Sequence, residues 1–157
     1  MTARVTVTDR GADGLLSRLR RAAGARVRVG VLEEATKATR EEEGSPLTLL
    51  EVAAIHEFGA PAAGIPQRSF IRAGVDAQLP EIQRVQRALA GQTIRGATTL
   101  DVALDRLGAK VAALLQNRIS AGIDPPNSAA TIARKGSSKP LVDTGQLKAA
   151  ITWRVIS

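Results

Sequence analysis

Hydrophobic positions change period several times along this chain, and each change marks an element. Residues 3–7, ARVTV, alternate Ala3, Val5 and Val7 with Arg4 and Thr6, the two-residue repeat of a half-buried strand. Asp13 then stands where it can cap a helix. Leu15, Leu16, Leu19, Ala22 and Ala23 share one broad face of that helix, and Gly24 ends it. In residues 25–32, ARVRVGVL, Ala25, Val27, Val29 and Val31 point one way and Arg26 and Arg28 the other. The opening reads as strand, helix, strand.

Residues 33–45, EEATKATREEEGS, are charged and aperiodic, which predicts an exposed, mobile loop. Ser45-Pro46 supplies an N-cap with proline at the first helical position. Leu47, Leu50, Ala54 and Phe58 follow at helical spacing with Leu49, Val52 and Ile55 alongside, so this helix is apolar nearly all round and is expected to be buried on most sides. Residues 59–69, GAPAAGIPQRS, are Gly/Pro-rich and predict a structured turn.

Ile71, Val75, Leu79, Ile82, Val85 and Leu89 continue a helical pattern, in which Pro80 predicts a kink or a second helix start. A long helix over about 99–120 carries Leu100, Leu104, Leu107, Val111, Leu114 and Leu115, with Arg106, Lys110 and Arg118 off the stripe. Residues 121–140 are turn-rich and basic, a second extended loop. A short helix from Thr144 and a strand, AITWRVI, close the chain, with Ile151, Trp153 and Val155 on one face. The sum predicts a single α+β domain over residues 1–157: a small sheet of about three to four strands with helices packed on it.

Composition narrows the chemistry. The 157 residues contain no cysteine, so disulfides, thiolate metal sites and Cys nucleophiles are excluded, and one histidine, His56, must carry any Ser-His chemistry. Three aromatic residues, Phe58, Phe70 and Trp153, are too few for base-stacking platforms. No signal peptide or membrane-length apolar run is visible, which predicts a soluble product made in the cytoplasm. The net charge of +7 is lopsided. Residues 1–60 hold nine basic and nine acidic residues, whereas 61–157 hold thirteen basic against six acidic. That half either contacts a polyanion or acidic partner or presents a solvated basic face.

Two motifs imitate catalytic ones. LVDTG, residues 141–145, has the Asp-Thr-Gly of aspartic proteases, which need two carboxylates sharing a proton. One copy can supply that only through a symmetric dimer, and no second Asp has a similar context. Asp143 with Gln146 three residues on reads instead as a structural helix cap, a capping box. IHEFG, residues 55–59, starts like the zinc-protease His-Glu-x-x-His but has Gly59 at the fifth position, so His56 reads as a hydrogen-bonding residue at a helix C-terminus. GAPAAG lacks the Lys-Ser/Thr of a phosphate-binding loop. The residues assemble no nucleophile, base and oxyanion donors; the reading is not an enzyme, with no catalytic, metal or cofactor residues.

Three segments together carry a resemblance: VAAIHEFGAP, IPQRSFIRAGVD and KPLVDTGQLKAAITW. They resemble the tail-completion or head-to-tail joining (neck) proteins of long-tailed double-stranded DNA bacteriophages. The matching positions are Glu57, Phe58 and Gly59, then Ile65, Pro66, Arg68, Ser69, Phe70 and Arg72, then Pro140 to Leu147 and Ile151. Ser69 stands where the family often has proline, and Ala150 where it often has serine. The resemblance implies a virion structural protein, made in the host cytoplasm, whose homo-oligomeric ring joins tail to head and leaves a channel for DNA.

Portal or head-connector and tail-terminator or tail-tube proteins are its implied partners, with genomic double-stranded DNA contacted without sequence specificity and no membrane involved. Ring assembly makes loops 33–45 and 121–140 candidates to order on binding. Phe70 with Arg68 and Arg72 is the expected interface, or else a motif at a helix start packed inside its own subunit. Arg134, Lys135 and Lys139 would face the DNA channel or an acidic partner. The alternatives are a basic nucleic-acid-binding domain and a dimeric aspartic protease acting through Asp143.

Overall fold

A helix near the middle of the chain organises everything else. The computed structural model describes residues 11–33, 47–127, 133 and 145–156. Its elements run α1 (Ala12–Ala22), β1 (Arg26–Val31), α2 (Leu49–Phe58), a 3-10 turn (Pro61–Ala63), α3 (Arg72–Ile94), α4 (Leu100–Ala121), α5 (Gln146–Ala149) and β2 (Ile151–Ile156). Helix α4 touches α1, α3, α5 and both strands.

Thr99 starts α4 by accepting from the Val102 amide, and the buried side of the helix runs through Ala103, Gly108, Val111, Ala112, Leu115 and Ile119. Of the stripe expected from spacing, Val111 and Leu115 are buried and Leu107 packs against the core, while small residues share the buried side because neighbours approach the backbone closely there. Gly108 shows why. A Cβ at that position would collide with the Trp153 ring and lie 2.8 Å from Val27 Cγ2. The sheet therefore rests directly on the helix backbone. Trp153 also donates from Nε1 to Asp105 Oδ1 at 2.8 Å, and Gln116 Nε2 donates to the Ile151 carbonyl at 3.0 Å. Together these bonds tie α4 to β2.

The sheet is mixed with helices as an α+β fold predicts, but among the described residues it has two strands rather than three to four. β1 and β2 pair antiparallel, with Val27 opposite Val155, Val29 opposite Trp153 and Val31 opposite Ile151. Alternation puts Arg26, Arg28 and Arg154 on the exposed face, where Arg28 and Arg154 stand directly opposite. The strand expected at residues 3–7 lies outside the described residues.

Two helix expectations need correction, and at Pro80 the alternative of a second helix start is not what forms. Gly11, in the left-handed region at φ 96°, is the N-cap of α1, and Asp13 is a first-turn residue. α2 starts at Thr48, whose side chain and that of Glu51 form a reciprocal capping box; Ser45 and Pro46 lie outside the described residues. α3 runs unbroken from Arg72 to Ile94 through Pro80. Val75 and Ile82, on either side of the proline, both pack against the same core, and that shared burial holds the two halves in one helix despite the missing amide.

The core gathers Ala53, Phe70, Val111, Ala112, Leu115, Ile119, Ile123, Leu147 and Ile151. Helix α2 contributes little to it. Only Ala53 and Glu57 of α2 are buried, against the expectation of burial on most sides.

Candidate functional site

The joint between α2 and α3 is where the two central segments of the sequence meet, and it can be built from the accounting of helix ends. Every helix leaves carbonyls without partners at its C-terminus and amides without partners at its N-terminus. Here the two sets of orphans are satisfied across one joint.

At the end of α2, Gly59 turns the chain at φ 78°, and its position tolerates no side chain: a Cβ would lie 2.9 Å from the Gln67 amide nitrogen. The turn that follows closes through Ala60 and Ile65, each amide donating to the other's carbonyl, at 2.9 and 3.0 Å. This brings Gln67 and Arg68 back alongside the helix. The Arg68 amide donates to the His56 carbonyl at 2.8 Å, and Gln67 Nε2 donates to the Glu57 carbonyl at 2.9 Å.

At the start of α3 the acceptor is a side chain from the other helix. Glu57, 7 % exposed, takes hydrogen bonds from the amides of Phe70 and Ile71 on Oε2, both at 2.9 Å. Its Oε1 takes the Arg72 amide at 3.0 Å and the Ser69 hydroxyl at 2.7 Å. Ser69 in turn accepts the Ala73 amide at 3.1 Å. Burial pushes the Glu57 carboxyl up, and the bonds from Ile71, Ser69, Arg72 and Phe70 together outweigh that, holding it below the ordinary carboxylate value. A buried carboxylate at a helix N-terminus also complements the helix dipole. Glu57 is therefore an ionised staple between two helices.

Arg68 makes the third connection. It is 6 % exposed, and its guanidinium donates from Nε to the Pro125 carbonyl at 2.7 Å and from Nη2 to the Pro126 carbonyl at 3.0 Å. The segment leaving α4 is thereby fixed to the α2–α3 joint. Phe70, 0 % exposed, sits in the core beside Ala53, Leu147 and Ile151.

Arg68 and Phe70 of the Ile65–Arg72 stretch pack inside their own subunit. Phe70 and Arg68 face inward, engaged within their own chain, and Arg72 is exposed while its amide serves the staple. Phe70 is a core anchor rather than an exposed one, because the stapled turn aims it between α2 and α4. His56 is half-buried in the last turn of α2.

Arg134, Lys135, Lys139 and Asp143 lie outside the described residues. For α5 the N-cap is Gly145, at φ 77°, with Gln146 as the first helical residue. Leu147, Ala150 and Ile151 of that third segment are buried, and Leu147 and Ile151 share the core that receives Phe70.

Spacing alone did not assign Glu57 a role. The signal available was a carboxylate in the last turn of a mostly apolar helix, with only Phe58 between it and Gly59, where the Gly/Pro-rich turn begins. Such a residue enters an apolar environment only with donors waiting for it. No family model, curated protein or solved structure matches the chain. The fold and joint define an α+β domain with a backbone-binding polar staple between two of its helices.

Proposed function

We propose that the chain is a structural virion protein of a tailed bacteriophage, a neck or tail-completion subunit whose ring joins tail to head and leaves a passage for DNA. One observation supports the reading: among the described residues, six side chains of the resembling segments are engaged with the chain's own backbone and core. Glu57, Ser69 and Arg68 bind main-chain groups, and Phe70, Leu147 and Ile151 fill one core. A pattern that encodes a rigid joint suits a protein whose work is shape. The exposed surface agrees with a subunit that has neighbours: Leu16, Leu19, Leu47, Leu50 and Phe58 are large apolar side chains open to solvent.

The mechanism is geometric. The subunit presents one face to the portal or head connector and another to the tail-tube end, and it performs no covalent chemistry. Native mass measurement together with negative-stain imaging tests this. Rings, or the joining of purified heads to tails on adding the protein, are expected; a protein that neither self-associates nor joins them refutes the reading.

A second reading, a basic nucleic-acid-binding domain, is favoured by the exposed sheet face with Arg26, Arg28 and Arg154. Duplex DNA binding by a monomer, with a steep loss of affinity on adding salt, would favour it over the ring.

A further inference from the structure

Two elements keep an apolar stripe that the core does not use. In and beside α1, Ala12, Leu16, Leu19 and Ala23 recur at steps of four, three and four, and all four are exposed, Leu16 by 47 % and Leu19 by 46 %. In and beside α2, Leu47, Leu50, Ala54 and Phe58 recur at steps of three, four and four, again all exposed. At helical rise each stripe is about 16 Å long. The backs of the two elements rest on different parts of the chain, α1 on α3 and α4, α2 on α5.

The stripes are complementary in size and in charge. The α1 stripe is small at its ends and large in the middle; the α2 stripe is large at its ends, with Ala54 leaving room between Leu50 and Phe58. Side-chain ridges of one helix pack into such gaps on another. Arg20 flanks the α1 stripe, in a helix with Arg18, Arg20 and Arg21 against Asp13. Glu51 flanks the α2 stripe, in a helix without Lys or Arg. Pairing either stripe with its own copy would set like charges together, whereas pairing α1 with α2 sets Arg20 near Glu51.

We infer that the α1 stripe of one copy seats on the α2 stripe of the next, giving a head-to-tail contact that repeats around the assembly. This rests on the ring reading and names its interface. A heterologous contact needs two distinct patches on one chain, and it closes a ring when the rotation between neighbours divides the circle.

Absence of cysteine makes the test clean. Leu19→Cys and Leu50→Cys are made singly and together, each variant is checked for unchanged circular dichroism, and all are oxidised mildly. A disulfide requires the two Cα atoms to approach within about 7 Å, so only facing positions react. The expected result is a covalent dimer when the single variants are mixed, a ladder of multimers from the double variant, and little product from either single variant alone.

Self-linking of one single variant overturns the proposal in favour of a twofold contact. Linking only to a different virion protein overturns it in favour of that partner. Native mass measured in parallel separates the two ideas: oligomers without the 19–50 bond defeat this contact and leave the ring standing, whereas monomers at every soluble concentration that also fail to join heads to tails defeat both.

Discussion

Phe58 and Phe70 lie twelve positions apart, on either side of one turn, and have opposite fates: Phe58 is 72 % exposed and Phe70 is 0 % exposed. The same turn separates two faces of the molecule. On the inner face Glu57, Ser69, Arg68 and Phe70 bind backbone and core. On the outer face Leu47, Leu50 and Phe58 remain in water. The contrast teaches that apolar residues on either side of one turn can have opposite fates, one side filling the core and the other left in water, with a polar staple at the joint between them.

Substitutions can break or sharpen this contrast. Phe70→Ala is expected to cost the most, about 3–5 kcal/mol, because it empties a fully buried site; urea unfolding followed by circular dichroism checks it. Glu57→Gln comes next at about 3 kcal/mol, since one carboxylate oxygen becomes an NH2 facing groups that are themselves donors. Its pH dependence is diagnostic. The folded Glu57 carboxyl lies below its ordinary value of 4.5, so its stabilisation is complete above that pH and disappears as pH falls through the lowered value. The stability gap between wild type and Glu57→Gln should therefore be full at neutral pH and close in acid. A gap that stays constant with pH would remove the ionised staple.

Arg68→Ala is expected to cost about 2 kcal/mol and to speed amide exchange in residues 122–127 more than elsewhere, read by hydrogen-exchange mass spectrometry. Thr48→Ala removes a local, exposed cap and should cost about 1 kcal/mol. Phe58→Ser closes the series: it should change stability by less than about 0.5 kcal/mol while abolishing self-association measured by sedimentation. Equal effects of Phe58→Ser and Phe70→Ala on unfolding would erase the inner–outer distinction.

Much of the fold was legible in the order of residues. The alternation of Val27, Val29 and Val31 marks β1, and the recurrence of Leu100, Leu104, Leu107 and Val111 marks α4, because each pattern repeats at the period of its own element. α2 defeated that logic. A helix apolar on every side has no pattern that says which side is covered, so Leu50 and Phe58 read the same as Ala53. Pro80 left two outcomes open for the opposite reason: its local penalty is visible in sequence, whereas the packing of Val75 and Ile82 that keeps one helix across it is tertiary.

The candidate joint was half legible. The motif residues could be picked out and compared with a family, but whether Phe70 faced a neighbour or its own core could not be decided from them. Glu57 serves amides 13 to 15 residues away, and local spacing rules reach only three or four.

The guanidinium of Arg68 has one further consequence. It grips the two proline carbonyls just beyond the exit of α4, so tension applied to the backbone downstream is delivered to the elbow between α2 and α3 rather than to the helix it leaves. The chain leaving α4 is thus held at Pro125 and Pro126 by the same residue that lies beside the last turn of α2, so the two helix ends share one anchor.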